Sequence, residues 1–505
     1  MRPLILAMLA PAALAGCAVG GEGGSDGPGV ELDAGGDAAD ASHEVVDTPQ
    51  HDAYPTCLDA GLASPGACSG ACTPCEQKTE GCGHCGTRVS FCDPVTCTWV
   101  LGACEASRDC DPGSWHLEAA GCSAGSYRLS VCDATCHFGV AGTCADAPAW
   151  HDTPAPPTTL AERAFASTVF TGTEVLVWGG QDATGFSQRG ARWNPTTHAW
   201  AAMATPDGSD LATRPFVKAR NGQLAAWTGS EMVVFGGVGD LGPLGDGALY
   251  DPVADAWRAA KFPGPGARVQ HAAAWTGTRF VVWGGKVAGV PGVADSGASY
   301  DPVGDTWSSI APSPIGGRTD ATLVADPATG VVYVWGGSDG HAAQATGARY
   351  DPATDGWAPI AASPTGGRKK HQAFWDATRH VMIVWGGEGD LLDDHDDGAV
   401  YDPATDAWTA FGGAADHVGV FFGFGASALV ADGKLWVIGG ESSTGEVLAA
   451  TARFDATLGV WTRMPDLSHA RSSASVAWTG APFAWGGFDA TFALEATGET
   501  LDGLP

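Results

Sequence analysis

The sequence predicts an all-β protein whose largest part is a seven-bladed propeller, and three observations lead to this fold class. First, an apolar strand ending in two glycines occurs seven times between residues 175 and 487, at intervals of about 50 residues. Second, six of these copies are followed by an aromatic–Asp/Asn–Pro-like turn and then by a tryptophan. Third, the 505 residues include 73 Gly, 32 Pro and 20 Trp, which favours many turns and few long helices. Four strand-like segments in each unit are typical of a propeller blade.

The unit formed by residues 268–307 illustrates the pattern. Ala272–Trp275 and Phe280–Trp283 are predicted as the first two strands, Ala298–Tyr300 as the third, and Trp307 lies on the fourth. Two glycines let the chain leave the second strand, because glycine accepts backbone angles that other residues avoid. An Asp-Pro pair presets the turn that leads into the last strand.

The motif Val282-Trp283-Gly284-Gly285, followed by Tyr300-Asp301-Pro302 and Trp307, resembles the kelch repeat. The resemblance covers about 350 of the 505 residues. It implies a seven-bladed propeller of the kelch type. Kelch propellers include both enzymes and binding modules, so the resemblance implies no single activity.

The two ends of the repeat region complement each other. The last unit reaches Leu501-Asp502 and stops at Pro505, before its tryptophan, whereas Trp150 precedes the first unit. We therefore expect Trp150 to lie on the outer strand of the last blade, so that residues 145–505 form a closed ring. Closure of this kind leaves no exposed sheet edge between the ends.

The first 16 residues are predicted to be a signal peptide, because Arg2 precedes an apolar run. The run ends in Leu14-Ala15-Gly16-Cys17, which resembles the bacterial lipobox. This resemblance implies a lipid anchor at Cys17 and a location in the cell envelope, at the outer membrane of a Gram-negative bacterium. An ordinary signal peptide with an incidental cysteine is the alternative.

Residues 17–56 are predicted to be a disordered linker. They are rich in Gly, Ala and Asp and contain no Lys or Arg. Such a segment buries too little apolar surface to offset its chain entropy, and its like charges repel.

Residues 57–144 are predicted to be a disulfide-rich module, because they hold all fourteen cysteines other than Cys17. The module contains two internal repeats, Cys82 to Cys104 and Cys122 to Cys144. Zinc bound by the pairs Cys72/Cys75 and Cys82/Cys85 is the alternative for four of these cysteines. The sequence alone leaves the disulfide connectivity open.

The charge balance limits the partners. A formal net charge of −31 opposes the binding of nucleic-acid phosphates, so no nucleic-acid partner is expected. No apolar stretch after the N-terminus is long enough for a membrane-spanning helix.

An arginine column identifies the candidate ligand site. Seven residues before the aromatic position of the first strand, an arginine occurs in six of seven blades, while the sixth blade has Gly423. The first strand of a blade is innermost, so we expect these arginines to ring one mouth of the central channel and to bind an anionic ligand. The alternative is that each bonds backbone carbonyls of a neighbouring blade, since kelch repeats commonly have arginine here. The column consists of Arg163, Arg220, Arg268, Arg318, Arg368 and Arg471.

Two further groups are weaker candidates. His271 and His371 each follow a column arginine by three residues and could face the same channel. The loop 388–397 carries clustered carboxylates that could hold calcium, although their spacing differs from that of an EF-hand. The alternative is a solvated acidic loop. The carboxylates are Asp393, Asp394, Asp396 and Asp397.

Three classes of function remain open, and no cofactor is expected. The leading hypothesis is a surface-anchored binding module that takes a peptide, protein or glycan at the mouth. A carbohydrate-active enzyme of the epimerase, mutarotase or lyase type, using His271 or His371, is the second. A structural envelope protein that mediates assembly is the third. Common catalytic motifs such as H-E-x-x-H and G-x-S-x-G are missing from the sequence, which favours binding over catalysis.

Overall fold

The computed structural model describes residues 144–503 except 159, 161, 207–216, 262 and 392, together with short segments between residues 77 and 138. All described residues belong to one compact unit, Cys68–Pro505. The predicted signal peptide, the predicted lipid anchor at Cys17 and the predicted linker of residues 17–56 lie outside the described residues. No helix in the described part of the chain is long and apolar enough to cross a membrane.

Seven four-stranded antiparallel sheets confirm the predicted propeller. We number the blades 1 to 7 by the order of their first strands. Blade 1 consists of Ser167–Phe170, Val175–Trp178, Gly190–Asn194 and Ala199–Ala202. Blade 2 consists of Leu224–Trp227, Met232–Phe235, Gly247–Asp251 and Ala256–Ala259. Blade 3 consists of Ala272–Trp275, Phe280–Trp283, Gly297–Asp301 and Thr306–Ser309.

The remaining blades follow the same order. Blade 4 consists of Thr322–Ala325, Val332–Trp335, Gly347–Asp351 and Gly356–Ile360. Blade 5 consists of Gln372–Asp376, Val381–Trp385, Gly398–Asp402 and Ala407–Phe411. Blade 6 consists of Ser427–Ala431, Lys434–Ile438, Thr451–Asp455 and Val460–Met464. Blade 7 consists of Ser475–Trp478, Pro482–Trp485, Gly498–Asp502 and Ala149–Asp152.

Two short strand pairs lie in loops between second and third strands, and a third pair joins such a loop to the segment that precedes the first strand of blade 3. They are the strand pairs Gln181–Asp182 with Gly185–Phe186, Val238–Gly239 with Gly242–Pro243, and Arg268–Val269 with Lys286–Val287. One helix of a single turn, Ala414–Val418, precedes blade 6 and ends at Gly419, whose φ is 71°.

The ring closes as predicted, through the strand that contains Trp150. Ala149–Asp152 pairs with Gly498–Asp502, and Trp150 lies opposite Leu501. The indole of Trp150 also donates to the Pro465 carbonyl of blade 6 at 3.0 Å. The first and last parts of the propeller sequence therefore share one sheet.

The core is divided among the blade interfaces. Seven apolar clusters occur among the described residues, and each is formed by two neighbouring blades, including blades 7 and 1. The second strands are almost fully buried because they are enclosed by the blades on both sides. Burying one large apolar side chain contributes about 1.5–3 kcal/mol, so the interfaces stabilise the ring.

The repeated tryptophans and aspartates join each blade to the one before it. The Trp357 indole donates to the Ala311 carbonyl of blade 3 at 2.8 Å. Asp355 Oδ1 accepts from the Ala311 amide and from the Tyr350 hydroxyl. Equivalent indole bonds are made by Trp257, Trp408, Trp461 and Trp150.

Before the propeller, the same strand pairing occurs twice. Gln77–Cys82 pairs with Gly86–Cys92, and Trp115–Glu118 pairs with Ser126–Val131. Short strands complete these two sheets, and they are Trp99–Val100, Glu105–Ala106 and Ala145–Asp146. Gly86 faces Ala106 in the first sheet, and Ser126 faces Asp146 in the second, forty positions later. One disulfide, Cys122–Cys144, is described.

Candidate functional site

The candidate site lies at one end of the central channel. The first strand of each blade contacts the first strands of both neighbouring blades, so these seven strands surround the channel. In blade 1, Ser167 at the start of the first strand faces Trp178 at the end of the second. The double-glycine loops therefore surround the same channel end at which the first strands begin. We call this end the mouth.

The column arginines are buried behind the mouth. Their exposed fractions lie between 0% and 5%. Arg268 Nη1 donates to the carbonyls of Gly284 and Ser296 at 3.0 and 3.1 Å, and both belong to the loop of its own blade. Four other column arginines likewise bind the first glycine of their own blade's pair, while Arg318 binds the Gly317 carbonyl and Thr346 Oγ1. These four are Arg163, Arg220, Arg368 and Arg471.

The expected alternative, bonds from the arginines to backbone carbonyls of a neighbouring blade, is right about the carbonyls and wrong about the blade, because these carbonyls belong to the arginine's own blade. Each guanidinium group binds the loop of its own blade, because the arginine precedes the first strand and lies directly beside the loop that follows the second strand. It is the arginine backbone that links blades. The Gly285 amide donates to the Arg318 carbonyl of the next blade at 2.7 Å, and equivalent bonds occur at Gly180, Gly237, Gly337, Gly440 and Gly487.

Burial also changes the electrostatics of the column. Desolvation lowers the pKa of Arg163 and of Arg268 to about 10. Three members have carboxylate partners: Arg220 Nη2 lies 2.5 Å from Asp246, Arg368 Nη1 lies 3.0 Å from Asp397 and Arg471 Nη2 lies 2.6 Å from Glu499. The column therefore consists of buried cations whose Nη atoms bond carbonyls, hydroxyl groups or carboxylates of their own blade. Among the described residues, the Nε atoms of Arg268, Arg318, Arg368 and Arg471 make no hydrogen bond.

Blade 6 departs from the pattern. Gly423 occupies the arginine position, and the Gln372 side chain of blade 5 bonds blade 6 instead. Gln372 Nε2 donates to the Ala426 carbonyl at 2.6 Å, and Gln372 Oε1 accepts from the Ala428 amide at 3.0 Å. One amide side chain thus joins the two blades where the arginine is missing.

The residues that occupy the mouth itself follow the column by two positions, and sequence reasoning placed only Lys370 among them beside the channel. Asp320 donates its amide to the Gln270 carbonyl, and Lys370 donates its amide to the Asp320 carbonyl, both at 3.0 Å. Neighbouring blades therefore bring these residues together around the axis. All seven have a positive φ, between 54° and 71°. We call them the mouth ring, and they are Phe165, Gly222, Gln270, Asp320, Lys370, Gly425 and Ser473.

A polar arc occupies one side of the mouth ring. It comprises Gln270, Lys286, Asp320, Lys369, Lys370 and Glu388, from blades 3 to 5. Gln270 Nε2 donates to Asp320 Oδ2 at 3.0 Å, and Lys370 Nζ lies 3.0 Å from Glu388 Oε1. Burial raises the pKa of Asp320, which the nearby charge of Lys370 partly opposes.

An aromatic arc occupies the opposite side. It comprises Phe165 of blade 1 with Phe488 and Phe492 of blade 7. The rings of Phe165 and Phe488 are 5.9 Å apart, edge to face. Phe165 and Phe492 are 38% and 42% exposed, and their φ values are 60° and 61°. In a ring of seven, the boundary between blades 7 and 1 lies diametrically opposite blade 4, which carries Asp320.

The two candidate histidines are enclosed by different pairs of blades. His271 packs against Phe235 of blade 2 at 5.8 Å, and neither ring nitrogen makes a hydrogen bond of good geometry, although the Phe235 carbonyl lies nearby. His371 packs against Trp335 of blade 4 at 4.7 Å, and its Nε2 lies 2.7 Å from Thr322 Oγ1. Desolvation lowers the pKa of each to about 3, so both are neutral at pH 7.

The aspartates of loop 388–397 point to different partners. Asp397 pairs with Arg368 at 3.0 Å, and Asp396 accepts from the Ala415 amide at 2.8 Å. Asp393 lies 3.8 Å from His395. Within residues 144–503, the described side chains include no group of three His, Cys, Asp or Glu that could hold a metal ion. Loop 388–397 is therefore joined to its surroundings by ion pairs and hydrogen bonds.

Comparison with known proteins adds little to this geometry. No family model matches the sequence, and no curated protein matches it. Among solved structures the chain is similar to YjhT, with 17% sequence identity, coverage of 62% of this chain and 99% of that chain, and a TM-score of 0.46. The strand pairing of this chain itself therefore identifies it as a seven-bladed β-propeller.

Proposed function

We propose that the protein is a binding module of the kelch type whose peptide, protein or glycan ligand occupies the mouth. The lipid at Cys17 holds it at the outer membrane, and the linker extends the propeller away from the surface. The side chains that contact the ligand are those of the mouth ring, with the buried column arginines shaping the loops behind them.

The observation that supports this proposal is which residues occupy the mouth ring, where the backbone is left-handed at all seven positions. Glycine adopts positive φ freely, whereas other residues are destabilised there by about 1–2 kcal/mol each. Only two of the seven mouth-ring positions are glycine. Five side chains are therefore retained against a conformational cost, and such local strain is concentrated at binding and catalytic sites.

The chemistry of the mouth favours binding over catalysis. The two candidate histidines are buried, neutral and enclosed by different blade pairs, so they offer no joint acid–base pair. The polar arc instead supplies an amide, a carboxylate and ammonium groups side by side. A few convergent polar groups beside apolar surface are typical of a recognition site.

The test uses glycine substitutions, which remove a mouth side chain without straining the backbone. Purified full-length protein is applied to a peptide array and to a glycan array. We expect Asp320→Gly and Lys370→Gly to weaken binding of the retained ligand at least tenfold, with unfolding free energies within about 1 kcal/mol of wild type.

The matched control is Asp432→Gly. Asp432 has a φ of 50° and lies in the turn between the first and second strands of blade 6, at the opposite end of the channel. It should bind as wild type does. Equal binding by the mouth variants and the control, or no binding to either array by wild type, would contradict the proposal.

A further inference from the structure

We infer that the ligand is a peptide that spans the mouth, with an apolar side chain on the aromatic arc and a carboxylate on the polar arc. This inference rests on the proposed function and names the class of its ligand. The supporting observation is the distribution of residue types around the mouth ring, in which the aromatic arc and the polar arc belong to different blades.

The aromatic arc occurs where other blades use glycine. Phe165 takes the mouth-ring position that is Gly222 in blade 2 and Gly425 in blade 6. Phe492 donates its amide to Asp489, as Gly445 does to Ser442 in the matching loop of blade 6. Two bulky, partly exposed rings therefore stand at glycine positions of neighbouring blades.

Phenylalanine has no polar atom, so this surface favours an apolar group over a hydroxyl-rich one. Aromatic rings are enriched in the centres of peptide and protein interfaces, where they form pockets for anchor side chains. An aliphatic or aromatic side chain of a peptide matches this surface better than a sugar ring, whose hydroxyl groups would lose their water without new partners.

The polar arc supplies the second anchor. Lys286, Lys369 and Lys370 are three of only six lysines in residues 145–505, and they lie beside two carboxylates, Asp320 and Glu388. In a chain with a net charge of −31, this cluster is a local excess of positive charge. An ammonium group binds a carboxylate as a point charge, so the arc fits an acidic side chain or a peptide C-terminus.

The geometry of the ring determines how one ligand can contact both arcs. Because blade 4 lies opposite the boundary of blades 7 and 1, a ligand that contacts both arcs must cross the channel axis. An extended peptide advances about 3.3 Å per residue, so its apolar and acidic groups would be several residues apart. Main-chain amides between them can bond the Gln270–Asp320 pair, which presents both a donor and an acceptor.

The experiment is an array of random nonapeptides with free C-termini, probed with full-length protein beside a glycan array. We expect the retained peptides to contain an apolar residue and, several residues away, a carboxylate. Replacing that apolar residue by Ala should weaken wild-type binding at least tenfold but leave Phe165→Gly unaffected. Amidating or neutralising the carboxylate should weaken wild-type binding at least tenfold and leave binding by Lys370→Gly unaffected.

Asp432→Gly, at the opposite end of the channel, is the control and should respond to both peptide changes as wild type does. Retained glycans in place of peptides, lost in Asp320→Gly, would overturn this inference while upholding a binding site at the mouth. Peptides whose apolar residue matters equally in wild type and in Phe165→Gly would also overturn it. Failure of every mouth variant to alter binding would overturn the proposed function as well.

Discussion

At the scale of single residues, the column arginine of a blade and the residue two positions after it have opposite roles. Arg318 is 5% exposed and binds its own loop, whereas Asp320, two residues later, faces the mouth. The left-handed backbone at Asp320, with a φ of 54°, turns the chain between them. The guanidinium groups thus hold the loops that frame the mouth, and the polar contacts with a ligand fall to their neighbours.

Buried neutral histidines predict that the propeller is destabilised by mild acid. His271 and His371 have a pKa near 3 when folded and about 6.5 when unfolded. Below pH 6.5 the unfolded chain binds protons that the folded chain does not, so stability is lost as the pH falls from 6.5 towards 3. Each histidine should contribute about 1 kcal/mol between pH 6.5 and 5.5, with a slope that approaches about 1.4 kcal/mol per pH unit at lower pH, measured by denaturant unfolding at pH 6.5, 5.5 and 5.0.

The double variant His271→Gln/His371→Gln should show a smaller slope of stability against pH, whatever its absolute stability. His341→Gln, at an exposed histidine, is the control and should keep the wild-type slope. An unchanged slope in the double variant would mean that these histidines are protonated in the folded protein.

At the scale of the structural element, the double-glycine turn is the part of the blade that determines the mouth. Both glycines of every pair have a positive φ, and the second lies against the backbone of its own blade's entry segment. Its amide reaches the next blade, as Gly337 does to the Arg368 carbonyl at 2.9 Å. One turn therefore combines a close backbone approach with the link between blades.

The substitution Gly337→Ala tests the close approach. A Cβ there would lie 2.6 Å from the Thr319 carbonyl oxygen and 2.8 Å from Ala321, and backbone atoms cannot yield as flexible side chains do. Gly366 has the same φ of 79° but open space around a Cβ, so Gly366→Ala reports the backbone strain alone. We expect about 1 kcal/mol of destabilisation for Gly366→Ala and at least 2 kcal/mol more for Gly337→Ala.

Thermal unfolding of both variants provides the comparison. Equal losses for Gly337→Ala and Gly366→Ala would show that the entry segment moves to accept the methyl group. In that case the turn would not hold the mouth rigidly.

At the scale of the whole molecule, closure of the ring is what creates an asymmetric site from similar repeats. Each apolar cluster joins only two neighbouring blades, so closure adds the cluster between blades 7 and 1 to the interfaces that stabilise the ring. The closing strand, Ala149–Asp152, is the outer strand of blade 7, the blade that contributes Phe488 and Phe492 to the aromatic arc. Closure also determines that the aromatic arc lies opposite the polar arc.

Trp150→Ala tests the contribution of closure. Trp150 is 5% exposed, and removing a buried tryptophan costs about 3–5 kcal/mol. The strand that contains Trp150 is far in sequence from the other strands of blade 7, so no short loop holds it in place. We therefore expect faster amide hydrogen exchange in both 149–152 and 498–502. Trp357→Ala, at the same position of blade 4, should cost less free energy because Trp357 is only partly buried, and it should leave exchange in 498–502 unchanged. Slow exchange in 498–502 of the Trp150 variant would indicate closure independent of this side chain.

The sequence by itself determined the number of blades, their strand order and the closing strand. Regular spacing was sufficient because each blade is a local unit, and because the missing tryptophan of the last unit matched the extra Trp150. The candidate site was predicted only in part. The arginine column indicated the correct end of the channel, but the tertiary structure decided that the residues two positions later occupy it.

The physical reason is that side-chain direction at a strand entry depends on a backbone turn and on the loop packed beside it. Neither is visible in residue spacing, although the glycines at two of the seven positions, Gly222 and Gly425, are a signal that could have identified the mouth ring. Tertiary structure alone also decided which residue types face one another across the mouth, because Phe165 and Asp320 meet the same channel only after the ring has closed.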